Sequence, residues 1–205
     1  MREGQRMEII LARHGRPKLE QRGWIAPRQL AGWVRAYDEG GILVGGAPLE
    51  VRAKAGNSGI IVSSPLLRCV ESARAVASQR NFETDELLRE AGLPYALWGF
   101  PRLPLWLWTL VFRGAWFCGY SANSESLDCA RMRAQSAAHK LIALASVHKS
   151  VFVMGHGIMA ALIAKELVQL GWVGPRRPAH GYWGSSVYRR ESCWDSLTIC
   201  GGTAA

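Results

Sequence analysis

The pattern of apolar positions predicts short buried strands that alternate with helices. Mostly apolar runs at residues 7–12, 59–63 and 151–154 are typical of short buried strands. Apolar residues at helical spacing follow the second and third runs, over residues 66–78 and 158–170. This alternation predicts an α/β fold, a three-layer α/β/α sandwich with a mostly parallel central sheet.

The other segments fit the same architecture. Residues 28–39 place apolar side chains at helical spacing, and residues 125–148 form an Ala-rich stretch that predicts a long helix. Residues 82–89 are expected to form a further strand or an extended segment. The tail over residues 186–200 predicts two short strands with a turn near Ser192.

A Trp-rich segment over residues 94–120 stands apart from this alternation. Its uninterrupted apolar run, residues 103–112, is too short to span a bilayer, because a transmembrane helix needs about 20 apolar residues. We expect a hydrophobic helical insertion, about residues 94–124, that caps the mouth of a ligand site. A homodimer contact or a peripheral membrane contact through residues 94–120 stays open, because a large exposed apolar patch usually marks an interaction surface.

Length and charge narrow the class of protein. The chain has 205 residues, which suits one domain over residues 1–205, since single cores stop growing above about 250 residues. A net charge of +9 would attract phosphorylated metabolites, nucleic acid or an anionic membrane. The chain has none of the sequence signatures of nucleic-acid binding, so no nucleic-acid partner is expected.

The five cysteines form no CxxC pair and the first residues lack a signal-peptide core, which favours a reduced, cytoplasmic protein.

Three groups of polar residues follow the three predicted strands. Arg13-His14-Gly15 follows the first strand, Arg68 lies in the first turn of the helix after the second, and Gly155-His156-Gly157 follows the third. Ligands of such sheets usually bind outside the carboxyl ends of the strands. We therefore expect these side chains to converge on one ligand, and the helix N-terminus at Arg68 favours an anion.

These residue types fit phosphoryl transfer through an enzyme nucleophile. That chemistry needs a basic attacking atom, cations around the phosphate oxygens, and an acid for the leaving oxygen. The histidines and arginines supply the first two, and Glu90 is the best candidate for the acid, with Glu86 and Asp85 as rivals. The sequence shows no metal-binding cluster, and no metal or cofactor is expected.

In content and order, these pieces resemble the histidine phosphatase superfamily, which includes cofactor-dependent phosphoglycerate mutases and many metabolite phosphatases. Residues 11–15 correspond to its RHG motif, residues 64–73 (SPLLRCVESA) to its SPLxRxxxSA stretch, Glu90 to its acidic residue, and residues 154–157 to its GHG motif. The resemblance implies a metal-independent phosphomonoesterase that passes through a phosphohistidine and acts on a phosphorylated small molecule.

The resemblance also implies roles for single residues. His14 would be the nucleophile, and Arg13, Arg68 and His156 would bind the phosphoryl oxygens. Glu90 would protonate the leaving alcohol and then help water attack the phosphohistidine. Arg16 and Gly157 are expected to join the substrate-binding residues.

Two departures make the substrate hard to infer. Arg16 and Pro17 stand where the family commonly has an acidic or amide residue followed by Thr or Ser, and the Trp-rich insertion replaces a short Gly-rich, acidic stretch. Three alternatives stay open: a phosphoglycerate mutase, a non-catalytic binding or scaffold protein that uses the insertion, and a phosphatase of membrane-bound phosphates. His180 is expected in a surface loop, although a place in the site stays open.

Overall fold

The computed structural model of the chain describes residues 6–19, 23–43 and 45–191. The strands in these ranges are β1 (Arg6–Arg13), β2 (Trp24–Ile25), β3 (Ile60–Ser63), β4 (Glu83–Thr84), β5 (Leu103–Pro104), β6 (Ser150–Gly155) and β7 (Ser185–Glu191). The α-helices are α1 (Leu30–Glu39), α2 (Leu49–Gly56), α3 (Leu67–Ala77), α4 (Leu105–Phe117), α5 (Leu127–His148) and α6 (Gly157–Gln169). Residues Pro27–Gln29 and Glu86–Leu88 form short 3₁₀ helices.

Five strands form the central sheet in the order β4-β3-β6-β1-β7. The first four pair in parallel, and β7 pairs with β1 in the antiparallel direction. The prediction of a mostly parallel sheet is therefore confirmed. The carboxyl ends of β1, β3 and β6 lie side by side, since Arg13 pairs with Gly155 and Ser63 with Met154.

Alternate residues of the strands bury their side chains on opposite faces of the sheet, as the pleat requires. Ile9 and Leu11 pack in a cluster with Leu141 of α5 and Ile163 of α6. Their neighbours on β1 pack instead with residues of α2 and α3. Helices thus cover both faces, which confirms the predicted three-layer arrangement.

Two segments differ from the expected elements. Residues 82–89 form only the short β4 and a 3₁₀ helix, because the Asp85 carboxylate accepts a hydrogen bond from the Leu87 amide at 2.9 Å and turns the chain. Helix α2 was not predicted, since it buries only Val51 and Ala55 and so carries little helical pattern. In the tail, β7 is observed, whereas the second predicted strand lies outside the described residues.

The Trp-rich segment contains one helix, α4, which packs beside α1. Its inner face buries Trp108, Phe112 and Trp116 at four-residue spacing. The Trp108 indole donates to the Ile25 carbonyl at 2.8 Å, and the Trp116 indole donates to the Glu125 carbonyl at 2.8 Å. Within the described ranges, no helix is both long and apolar enough to cross a membrane.

Candidate active site

The three predicted motifs meet at the carboxyl edge of the sheet. The His14 amide donates to the Gly155 carbonyl at 3.0 Å, and the Ser64 amide donates to the Met154 carbonyl at 2.9 Å. These bonds continue the strand pairing just past the ends of β1, β3 and β6. As a result, the His14 and His156 rings lie with their centroids 5.2 Å apart.

His14 is buried and held in one tautomer. Its Nδ1 lies 2.7 Å from the Gly15 carbonyl, which can only accept, so Nδ1 carries the proton and Nε2 carries the lone pair. Burial lowers the pKa of His14 to about 3, against the Gly15 hydrogen bond, and the charges of Arg68 and Arg13 lower it further. At neutral pH the imidazole is therefore uncharged, and the lone pair on Nε2 is not taken up by a proton.

The loop around His14 is fixed by contacts with α3 and with the 181–184 turn. The Gly15 amide donates to the Ser72 hydroxyl at 2.9 Å, and that hydroxyl donates to the Arg68 carbonyl at 2.6 Å. A Cβ on Gly15 would lie 2.5 Å from the Trp183 ring, so a side chain at Gly15 would force that ring to move. Ser72 therefore joins the His14 loop to α3, a role that the sequence did not indicate.

Arg68 is a buried cation held by the end of α1. Its Nη1 donates to the Tyr37 carbonyl at 2.9 Å and to the Asp38 carboxylate at 3.2 Å. The guanidinium lies over the Tyr37 ring, 4.3 Å from its centroid. Its Nε is buried and has no hydrogen-bond partner among the described residues.

Arg13 is held by the loop before β7. Its Nη1 donates to the His180 carbonyl, and its guanidinium lies over the Tyr182 ring at 4.8 Å from the centroid. Its Nε also lacks a partner among the described residues. His180 thus contacts Arg13 through its backbone, and the residue itself is exposed as expected for a surface loop.

His156 is buried next to Ser64 and Cys69. Its Nε2 lies 2.8 Å from the Ser64 hydroxyl and 3.3 Å from the Cys69 sulfur. Burial holds the pKa of His156 well below its usual value, and Arg68 lowers it further. The ring is therefore neutral at pH 7, so it would contact a phosphoryl group as a hydrogen-bonding group rather than as a cation.

Glu90 lies at the N-terminus of α6. Its carboxylate accepts from the Met159 and Ala91 amides, each at 3.0 Å. Of its two rivals, Asp85 pairs with Lys140 at 2.6 Å, and Glu86 is exposed beside Arg89. Of the three candidates, Glu90 is thus the carboxylate at the edge where the strands end, because it contacts the first turn of the helix that follows β6.

Two arginines that the sequence did not single out hold the Glu90 loop. Arg133 of α5 donates to the Leu87 carbonyl at 3.0 Å and the Arg89 carbonyl at 2.6 Å, and it pairs with Glu125. Arg113 of α4 donates to the carbonyls of residues 91 and 92, each at 3.0 Å. Because each arginine lies more than 20 positions away along the chain, no local pattern could have shown these contacts.

A cavity of about 600 Å³ opens at this edge. Arg13, Arg68 and Glu90 line one end, whereas His14 is only 1% exposed and is not part of the lining. Arg16 lines an adjoining cavity of about 560 Å³, so it lies at the rim and apart from the two other arginines. Gly157 lies beside Arg13, where a Cβ would lie 3.7 Å from the guanidinium Nε.

The chain matches one family in sequence. The family described as Histidine phosphatase superfamily (branch 1) matches over residues 49–195. This range contains Arg68, Glu90 and His156 and begins after the Arg13-His14-Gly15 motif. No curated protein matches the chain.

Solved structures share the fold at low sequence identity. The mycobacterial glucosyl-3-phosphoglycerate phosphatase has 20% identity and a TM-score of 0.58, over 90% of this chain and 90% of that one. Phosphoserine phosphatase from Entamoeba histolytica, in complex with 3-phosphoglyceric acid, has 17% identity and a TM-score of 0.57, over 93% and 98%. Phosphoglycerate mutase from Bacillus anthracis has 16% identity and a TM-score of 0.54, over 90% and 87%.

Proposed function

We propose a metal-independent phosphomonoesterase function for this chain, which belongs to the histidine phosphatase superfamily. The observation that carries the proposal is a neutral, oriented imidazole at His14, close enough to the fixed guanidinium groups of Arg68 and Arg13 that both charges lower its pKa. The proposal also places the enzyme in a reducing compartment such as the cytoplasm, in keeping with the free thiols of Cys69, Cys118 and Cys129.

In the first step, His14 Nε2 attacks phosphorus and the bond to the ester oxygen breaks. The lone pair on Nε2 is available because Nδ1 donates to the Gly15 carbonyl. Glu90, in its protonated form, gives its proton to the leaving alcohol, and the phosphoryl group is now bonded to His14. In the second step, the Glu90 carboxylate takes a proton from water, which attacks the phosphohistidine and releases phosphate.

The cations stabilise the charge of the transferring group. Arg13 and Arg68 each keep a buried Nε–H without a partner among the described residues, and a phosphoryl oxygen would provide the missing acceptor. Fixed donors of this kind stabilise charge on equatorial oxygens without reorganisation during the reaction. His156, which is neutral, would add a hydrogen bond in place of its contact with Ser64.

Access to His14 requires a local movement. The imidazole is 1% exposed, and the Tyr182 ring lies beside it, tilted by 41° at a centroid distance of 5.9 Å. Tyr182 is itself exposed, so its ring can turn outward without disturbing the core. Substrate binding would therefore replace the stacking of Tyr182 on Arg13 with phosphate contacts.

The test is hydrolysis of 4-nitrophenyl phosphate in the presence of a chelator. The parent and His139→Ala should turn over equally, since His139 is an exposed histidine on α5. His14→Ala should lose activity by about a thousandfold or more, as removal of a nucleophile does in other enzymes. Equal turnover by His14→Ala and the parent, or turnover that the chelator abolishes, would contradict the proposal.

The alternatives predict other outcomes. A mutase would keep its phosphoenzyme from water, so the phosphoenzyme would persist until a phosphate acceptor is added. A scaffold protein would bind its partner or a membrane through the exposed side chains of the insertion, among them Trp98, Phe100 and Trp106, whether or not His14 is present. The rapid loss of the phosphoryl group to water is expected only of the phosphatase.

A further inference from the structure

We infer that the substrate is a phosphate monoester of an apolar alcohol, an inference that rests on the proposed phosphatase function. The lining of the cavity at the carboxyl edge combines two kinds of side chain. Arg13, Arg68 and Glu90 form what we call the phosphate end. The rest of the lining, which we call the apolar end, is mainly apolar and includes Trp33, Val34, Leu93, Trp106 and Leu110; its polar members are Asp38, Thr109 and Arg113. An ester bound with its phosphoryl group on the arginines thus directs its alcohol part into the apolar end.

Helices α1 and α4 form most of the apolar end. Trp33 stacks on Tyr37 of the same helix with ring centroids 5.0 Å apart, and Tyr37 in turn lies under Arg68. One aromatic stack therefore runs from the phosphate end into the apolar end. Burial of apolar substrate surface against these side chains stabilises the complex in proportion to the area removed from water.

The other charged side chains in this lining, Asp38 and Arg113, already make polar contacts with other groups of the chain. The Asp38 carboxylate accepts from Arg68 at 3.2 Å. Arg113 donates through both Nη atoms to backbone carbonyls, and the charges of Glu90 and Glu125 balance its own. Within the first cavity, a substrate with a second anionic group, such as a phosphorylated hydroxy acid, would have to compete for Arg113 or lie among apolar side chains, and the cation Arg16 lines only the adjoining cavity. An apolar alcohol meets neither cost.

The space suits an alcohol larger than a two-carbon group. The adjoining cavity of about 560 Å³ shares Trp33, Tyr37, Trp106 and Thr109 with the first. A ring or a short alkyl chain fits within the first cavity, and a longer chain extends along α4 into the second. Trp106 contacts both volumes, so it is the side chain that most directly selects the alcohol.

Two wall residues can be changed without damage to the core. Trp106 is 65% exposed and Leu110 is 62% exposed, whereas α4 packs on the domain through Trp108, Phe112 and Trp116. Trp98 offers a matched control, because it is an exposed tryptophan of the same segment that lines neither cavity. Trp106→Ala, Leu110→Ser and Trp98→Ala should therefore all fold as the parent does.

The experiment compares kcat/KM for benzyl, hexyl and ethyl phosphate with that for O-phosphoserine and 3-phosphoglycerate. Each of these esters releases an aliphatic alcohol, so the comparison responds mainly to binding of the alcohol part. We expect benzyl and hexyl phosphate to exceed ethyl phosphate and both acidic esters by about tenfold or more. Trp106→Ala should reduce the preference for benzyl over ethyl phosphate about tenfold, Leu110→Ser should reduce it less, and Trp98→Ala should keep it.

The experiment distinguishes a wrong substrate class from a wrong proposed function. If the parent hydrolyses the acidic esters best, or if Trp106→Ala and Leu110→Ser both keep the parent's preference, the apolar substrate class is wrong and the phosphatase function stands. If the folded parent hydrolyses none of the five esters nor 4-nitrophenyl phosphate, the proposed function fails, and the inference fails with it.

Discussion

The Ser72 hydroxyl joins the nucleophile loop to helix α3, and its removal should destabilise the fold measurably. In Ser72→Ala the buried Gly15 amide loses its acceptor, which lies at 2.9 Å, and Ser72 itself is fully buried. An unsatisfied buried amide costs about 1–3 kcal/mol. The Arg68 carbonyl loses only a second hydrogen bond, because it also lies within the hydrogen-bonded helix α3.

Ser136→Ala is the matched control for this substitution. The Ser136 hydroxyl makes the same bond to the carbonyl four residues earlier, at 3.1 Å, but it is exposed and no backbone amide donates to it in the described part of the chain. Its loss should change the free energy of unfolding by less than about 0.5 kcal/mol. The difference between the two variants therefore measures the contact with the Gly15 amide.

Urea unfolding followed by tryptophan fluorescence measures both values. The free energy of unfolding of Ser72→Ala should fall by about 1–3 kcal/mol with an unchanged slope against urea, which corresponds to a loss of roughly 2–12 °C in Tm. If Ser72→Ala and Ser136→Ala were equally stable, Ser72 would not satisfy the Gly15 amide, and the account of how His14 is positioned would be wrong.

Two further predictions concern charge and positioning. The pKa of His14 is about 3 in the folded chain against 6.5 for a free histidine, so the unfolded state binds the extra proton below pH 6.5. The free energy of unfolding of the parent should therefore fall as the pH drops from 6.5 toward 3. His14→Asn should show a shallower fall. An identical pH dependence of the parent and His14→Asn would show that His14 is not a neutral buried group. Arg133→Met should lower kcat about tenfold or more for ethyl phosphate, because Arg133 holds the loop of the proposed acid, Glu90. The loss should be smaller for 4-nitrophenyl phosphate, because nitrophenolate leaves without needing a proton from that acid. Arg131→Met, on the exposed side of the same helix, should match the parent in steady-state kinetics, and an equal loss for both esters in Arg133→Met would argue against the positioning role.

Local patterns in the sequence predicted the framework of the site. The apolar runs that end before Arg13 and Gly155 are strands of one parallel sheet, so the residues after them had to meet at one edge. The helical spacing after the second strand placed Arg68 in the first turn of α3, at the same edge. Periodicity could therefore indicate which side chains face the sheet edge.

The contacts that fix these side chains come from distant parts of the chain. Arg68 is held by the end of α1, and Arg13 is held by the His180 carbonyl, 167 positions away. No pattern in a short window encodes such a partner, because the partner's position depends on the packing of whole helices and loops. For the same reason, the apolar character of the 94–120 segment predicted an insertion without showing that Trp106 would line the cavity while Trp108 packed inside.

The central claim is that His14 becomes phosphorylated during turnover. In the direct measurement, the enzyme is mixed with benzyl phosphate as substrate and the reaction is quenched rapidly in alkali, which preserves phosphohistidine. The peptide that contains His14 is then analysed by mass spectrometry. The account predicts a phosphoryl group on His14 that appears within one turnover and accumulates in Glu90→Gln, where attack by water is slowed. A phosphoryl group on another residue, or turnover with no phosphoenzyme in either protein, would contradict the account.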